Sequence, residues 1–217
     1  MQRDTPALVL ASASSARRSL LSAAGLRFEA VAAAVDEDSI KESGRAEGMP
    51  PGEVATMLAE AKARRVATRL DRLAEAEGGR AGALVIGADQ LLTCRTDAGE
   101  LRWFDKPRDL AEAREHLLAL RGREHVLHTA VLCWRDGARV WQHLAAPRLV
   151  MRRFSDNFLD RYLAEEGEAI LGCVGCYRLE GPGVQLFERV EGDHAAVLGL
   201  PLLPLLGFLR QHGVLEG

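Results

Sequence analysis

Lysine is nearly absent from this chain: Lys41, Lys62 and Lys106 are the only three among 28 basic residues in 217. Arginine is therefore the default surface cation, and each lysine stands out, although a solvated helix face is the plain alternative for any of them. Cysteine is also sparse, with Cys94, Cys133, Cys173 and Cys176. A chain long enough to bury a large core needs no disulfide framework. The Cys173-x-x-Cys176 pair lacks the second pair that a structural zinc site requires, so small buried residues are the better reading. No apolar run approaches the roughly 18 residues of a membrane span. The opening Met1-Gln2-Arg3-Asp4-Thr5-Pro6 shows no cleavage-site pattern, so a cytoplasmic protein without a leader is expected. A net charge of −3 argues against a nucleic-acid binder that works by bulk electrostatics. A phosphate site here must come from a local cluster of cations. Also missing are a G-x-S-x-G, a Walker loop and a G-x-G-x-x-G after a strand.

What is present is ordinary for a globular protein, with 47% apolar and 27% charged residues. Residues 7–11 are a short apolar run of the buried-strand type. The serine-rich turn Ser12-Ala13-Ser14-Ser15 follows, then a helix closed by Gly25. Residues 28–35 read as a second strand ending in Asp36-Glu37-Asp38, and residues 40–50 as a loop. An alanine-rich, charge-laced helix is expected over 52–76, stopped by Gly78-Gly79. Residues 83–89 form another buried strand with Asp89 at its C-terminal end, where α/β sheets bind ligands. Residues 91–94 and 101–104 flank a turn as a hairpin. A capping-box-like Asp109-Leu110-Ala111-Glu112 opens a helix to Leu120. Strands at 126–134 and 139–151 are joined by Asp136-Gly137, a strong hairpin signal. Ser155 caps a helix to Glu165, residues 184–190 form a strand, and a final helix spans 201–212. Together these elements predict a mixed sheet bent around a cleft.

Two stretches carry candidate chemistry. A helix N-terminus offers unpaired N–H groups and a positive dipole end to an anion. Ser12 and Ser14 add hydroxyls there, and Arg17 and Arg18 add two charged forks that suit phosphate oxygens. The alternative is an ordinary cap with two solvated arginines, but cations at a helix start oppose the dipole, and a bound anion would explain them. Asp89, directly after an apolar strand, should find a cation, a metal or a proton. Asp36-Glu37-Asp38 is by itself a solvated acidic turn. Taken with Asp89, its carboxylates would suit Mg²⁺ or Mn²⁺. His125 and His128 lie on opposite faces of a strand and cannot share a metal.

Read in order, the blocks resemble one family. Leu10-Ala11-Ser12-Ala13-Ser14-Ser15-Ala16-Arg17-Arg18 and Val35-Asp36-Glu37 resemble the opening of the Maf family of nucleoside triphosphate pyrophosphatases. So do Leu58-Ala59-Glu60-Ala61-Lys62-Ala63 and Val85-Ile86-Gly87-Ala88-Asp89-Gln90. Asp105-Lys106-Pro107 stands where that family has Gly-Lys-Pro. Further blocks run from Arg121-Gly122-Arg123-Glu124-His125 through Phe187-Glu188-Arg189-Val190-Glu191-Gly192-Asp193 to Val197-Leu198-Gly199-Leu200-Pro201-Leu202. The resemblance implies one domain over residues 1–217, a mixed twisted α/β sheet with flanking helices. It further implies two lobes around a cleft, of the inosine-triphosphatase-like type. It also implies hydrolysis of a nucleoside triphosphate to the monophosphate and pyrophosphate with a divalent cation, Mg²⁺ or Mn²⁺. Carried over by position, Ser12, Arg17, Arg18, Lys62 and Lys106 would bind phosphate, and Ser14 joins them as a substrate-binding hydroxyl at the helix start. Glu37 and Asp89 would serve the metal and the water, with Asp89 as proton acceptor, and Lys62 would be a further catalytic residue.

Departures from the commoner pattern bear on the base. Members resembling dTTP and UTP hydrolases carry Thr after the strand aspartate and Gln before a later Gly; here Gln90 and Glu180 occupy those positions. That pair resembles the 7-methyl-GTP branch, although Ala16 stands where that branch often has an aromatic residue. A carboxylate suits guanine's donor edge and the positive charge of its N7-methylated form. A dTTP/UTP pyrophosphatase is the runner-up, and a nucleotide-binding regulator of cell division without turnover is a third reading. No nucleic-acid or membrane partner is expected. The apolar content of the central hairpin suits a homodimer contact or a core equally.

Overall fold

The computed structural model describes residues 1–77 and 82–216. Two compact units are traced by the chain: Met1–Asp89, Thr129–Ala145 and Gly199–Gly217 form the first, Gln90–His128 and Ala146–Leu198 the second.

In the first unit β1 (Leu8–Ala11) is buried along its length and leads into α1 (Ser15–Ala23). Ser14 caps α1, its hydroxyl accepting from the Arg17 amide, and Gly25 follows with a φ of 74°. β2 (Glu29–Ala30) pairs parallel with β1. It is far shorter than the strand expected over 28–35. The supposed loop at 40–50 is mostly α2 (Glu37–Ala46), capped by Asp36 on the Ser39 amide. Gly44 sits inside this helix because α3 (Pro51–Glu77) packs there: a Cβ on Gly44 would lie 2.5 Å from a Val54 methyl. The expected stop at Gly78-Gly79 lies outside the described residues. β3 (Leu84–Arg95) pairs parallel with β1 through Gly87, then runs on into the second unit. Asp89 is therefore mid-strand and not at its end.

β4 (Leu101–Phe104) returns antiparallel along β3 as the expected hairpin. α4 (Leu110–Leu120) is capped by Asp109, but the Glu112 carboxylate takes the amide of Arg108, one residue before the cap. β5 (Glu124–Arg135) turns at Asp136-Gly137 into β6 (Ala138–Ala145). The strand expected over 139–151 is interrupted at Ala146-Pro147, and β7 (Arg148–Met151) pairs instead with β5 and β8 (Phe187–Glu191). Ser155 caps α5 (Asp156–Glu166) as expected. A short 3₁₀ turn, Pro182–Leu186, delays the start of β8. The short α6 (His194–Val197) and α7 (Leu202–Gln211) complete the chain.

Parallel pairs (β1 with β2 and β3) and antiparallel pairs coexist, so the sheet is mixed and flanked by helices, as expected. Each unit has its own core: Leu10, Leu21, Ile86, Val131, Leu205 and Phe208 in the first, Phe104, Leu117, Leu149, Leu159 and Tyr162 in the second. Within the central hairpin Val131 and Leu132 are core residues and Trp141 stacks on Phe208. Val140 and Leu144 are exposed. Among the described residues, no helix is long and apolar enough to cross a membrane.

Candidate active site

In the first unit, the turn after β1 is organised by two serines. Ser12 is buried, and its hydroxyl accepts from the Ser14 amide at 3.2 Å and from Nη1 of Arg17 at 3.3 Å. Arg17 is itself buried, and its Nε donates to the carbonyl of Gly199 at 2.7 Å. Gly199 has a φ of 102°, and a Cβ there would sit 3.3 Å from that Nε. Backbone freedom at Gly199 thus aims its carbonyl at the guanidinium. Arg18, next along, is exposed, and no hydrogen bond or ion pair to its side chain is present among the described residues. One fork is locked and the other is open to a ligand.

Below this turn lies a compact set of opposite charges. Nζ of Lys62 stands 2.6 Å from Oδ1 of Asp89 and 2.8 Å from Oε1 of Glu37. Lys62 and Asp89 are buried, while Glu37, the first residue of α2, is partly exposed. Burial lowers the pKa of the Arg17 guanidinium, and the Asp89 and Glu37 carboxylates raise it in return. Two cations therefore face two carboxylates, which makes their joint burial affordable. This pairing also explains why β3 continues through an aspartate: the carboxylate has its cation and needs no strand end to reach one. Of the acidic triplet, only Glu37 joins the cluster. Asp36 is spent on the cap and the Ser39 hydroxyl, and Asp38 is exposed.

Small residues set the spacing. Gly87 and Asp89 share a face of β3, and α3 lies against Gly87 so closely that a Cβ there would be 2.2 Å from the Ala59 carbonyl and 2.8 Å from Cβ of Ala63. Lys62 is carried by the same turn of α3, between two fully buried alanines. The alanine-rich stripe is what lets the ammonium reach the strand. Gly87 and Gly199 lay inside quoted sequence blocks, but nothing in their type announced these contacts.

The second unit holds Gln90, Lys106 and Glu180. Nε2 of Gln90 donates to the carbonyls of Ala196 and Val197 in α6, each at 3.1 Å. Lys106 and Glu180 are exposed. Both act on one thiol: burial raises the pKa of Cys173, Glu180 raises it further, and Arg178 and Lys106 lower it. Glu180 and Lys106 are thus brought near the same side chain. His125 and His128 do face different partners, Tyr177 and Thr93. Cys176 is buried beside His116. Among the described residues no group of three His, Cys, Asp or Glu side chains could hold a metal ion alone.

The chain matches the family described as Maf-like protein over residues 7–212. A nucleoside triphosphate pyrophosphatase of Granulibacter bethesdensis is 57% identical over 208 residues, covering 96% of this chain and 98% of that protein. One of Rhodospirillum rubrum is 51% identical, covering 99% of each. A 7-methyl-GTP pyrophosphatase of Rhizobium meliloti is 48% identical, covering 97% of this chain and 98% of that protein. With the ordered sequence blocks and the mixed sheet, these matches show that the chain belongs to the Maf-like protein family.

Proposed function

We propose that this protein hydrolyses a nucleoside triphosphate to its monophosphate and pyrophosphate, with 7-methyl-GTP as the preferred substrate. The reading is carried by the buried Lys62–Asp89 pair, joined by the partly exposed Glu37, beside Arg17. The names of the relatives support the same reaction.

Asp89 accepts a proton from the attacking water, whose oxygen bonds to the α-phosphorus. The bond from that phosphorus to the α–β bridging oxygen breaks, and pyrophosphate leaves with the electron pair. Arg17 and Arg18 balance charge growing on the leaving group, and Ser12 and Ser14 orient oxygens at the α1 start. Lys106 is assigned to phosphate by its place in the Asp105-Lys106-Pro107 block alone. Lys62 holds Asp89 and Glu37 in place, so the base is oriented before substrate arrives. Glu37 and Asp89 are hard oxygen donors that fit Mg²⁺ or Mn²⁺. Two carboxylates suit an ion that completes its shell with substrate phosphates and water. When bound, such an ion lowers the pKa of water and offsets phosphate charge.

Gln90 and Glu180 are assigned to the base on their chemistry: a carboxylate accepts from guanine N1–H and N2–H₂, and favours the cationic N7-methyl ring. A cytoplasmic house-cleaning role accords with this chemistry. The test is pyrophosphate release across 7-methyl-GTP, GTP, UTP and dTTP with Mg²⁺ and Mn²⁺. Preference for 7-methyl-GTP is expected. Equal kcat/KM on 7-methyl-GTP and UTP would overturn the base assignment, and no release from any of them would overturn the reaction.

A further inference from the structure

We propose that Glu166 and Arg178 are positioning residues for Glu180, an ion pair buried at its carboxylate end that fixes the turn from which Glu180 reads the base. The inference rests on the assignment of Glu180 to the base.

Glu166 ends α5 with its side chain 1% exposed, and its Oε2 accepts from Nε of Arg178 at 2.7 Å. Its Oε1 is buried and has no hydrogen-bond partner among the described residues. A half-satisfied buried carboxylate is a costly way to hold a fold together, and an apolar pair of similar size would serve stability as well. What the pair adds is geometry. Arg178 opens a turn closed by the Gly181 amide on the Arg178 carbonyl at 3.3 Å, and Glu180 is the third residue of that turn. Gly181 leaves room for the orphan oxygen, since a Cβ there would be 3.1 Å from Oε1. Gly183 backs on the Arg178 main chain, where a Cβ would be 2.5 Å from its carbonyl oxygen. The preceding residue, Tyr177, is anchored by its hydroxyl to Nε2 of His125 at 2.8 Å. Every residue around Leu179 and Glu180 is thus held, and those two form the tip.

Arg178 also lies within electrostatic reach of Glu180. Glu166 takes the Nε of Arg178 and so keeps that guanidinium from closing on Glu180. Without Glu166, Arg178 would compete with the base for the specificity carboxylate.

The experiment measures kcat and KM for 7-methyl-GTP and UTP in the wild type, Glu166→Gln, Glu180→Gln and the double variant. Glu180→Gln should lower the 7-methyl-GTP over UTP selectivity by about tenfold, the scale of one charged hydrogen bond. Glu166→Gln should lower it about fivefold, through KM for 7-methyl-GTP, with UTP kinetics shifted less than about twofold. The double variant should fall no further than Glu180→Gln alone, since Glu166 acts through Glu180. Equal losses on both substrates, additive losses in the double variant, or unchanged selectivity in Glu166→Gln would overturn the inference and leave the base assignment standing. Unchanged selectivity in Glu180→Gln would overturn the base assignment itself. Should Glu166→Gln fail to fold, Arg178→Gln breaks the same pair from its half-exposed end. It also removes the competing guanidinium, so it should lower selectivity less, through the freed turn alone, and unchanged selectivity there would overturn the inference.

Discussion

The two units bury polar groups in different ways. The first unit buries full charges, Lys62 and Asp89 with Arg17 beside them, joined by the partly exposed Glu37. The second buries mainly neutral groups: His125 on Tyr177 and Cys176 beside His116, with Glu166 as its buried ion. Burial drives those groups toward their neutral forms, lowering His125 to about 3 and raising the Cys176 thiol to about 12. A site that moves protons and balances phosphate charge needs ions held close and dry. A scaffold that shapes a loop is better made from groups that do not titrate near neutrality. On the proposed reading, the contrast sets a charged working cluster in the first unit against a neutral scaffold in the second.

The sharpest way to break that contrast is to remove one charge from the first unit. Asp89→Asn keeps the shape and the hydrogen bond but cannot accept the proton, so pyrophosphate release should fall about a thousandfold, the scale of a lost general base. Wild-type turnover in that variant would remove Asp89 from the mechanism. A smaller effect should come from spacing alone. Gly87→Ala pushes a methyl into the Ala59 carbonyl, so α3 must shift and carry Lys62 away from Asp89. A loss of about 1–3 kcal/mol is expected from the overpacking, or about 2–4 °C of Tm per kcal/mol in a chain of this size. Turnover should drop about tenfold with KM little changed, because misplacement of a catalytic group costs rate. Full activity and an unchanged Tm in Gly87→Ala would show that the close approach of helix and strand is not needed.

Local chemistry was readable where a side chain acts on its own neighbourhood. Ser14, Asp109 and Ser155 cap their helices as their types require, and Asp136-Gly137 makes its hairpin. Readings failed where a distant partner overrules local preference. Gly44 looked like a loop residue, yet it lies in a helix, where the missing side chain leaves the space that Val54 fills. Asp89 looked like the end of a strand, yet β3 runs on because Lys62, 27 residues away, pairs with it. The site residues were named by type and order, but their grouping was not: that Lys62 bridges Glu37 and Asp89 is a property of α3 packing on β3. Gly87, Gly199 and Glu166 carried no signal of the contacts they make. Their roles are set by close approach or by a buried partner, and neither leaves a mark in a single sequence.

The mildest prediction concerns the neutral side of the comparison. His125 is buried, with Nε2 on the Tyr177 hydroxyl and Nδ1 unpartnered among the described residues. Its folded-state pKa of about 3 lies below the ordinary value of 6.5. Between those two values the unfolded chain binds a proton that the folded chain refuses. Stability from this group is therefore complete above pH 6.5 and is lost as the pH falls toward 3, with a slope of at most about 1.4 kcal/mol per pH unit. His125→Gln can keep a hydrogen bond to Tyr177 but does not titrate. Urea midpoints measured at pH 7, 6, 5 and 4.5 should fall less steeply in the variant, by the equivalent of one proton, while kcat at pH 7 changes little. Parallel slopes in the two proteins would mean that His125 takes up its proton without unfolding. The second unit would then bury a titrating group after all, and the distinction between a charged working cluster and a neutral scaffold would have to be redrawn.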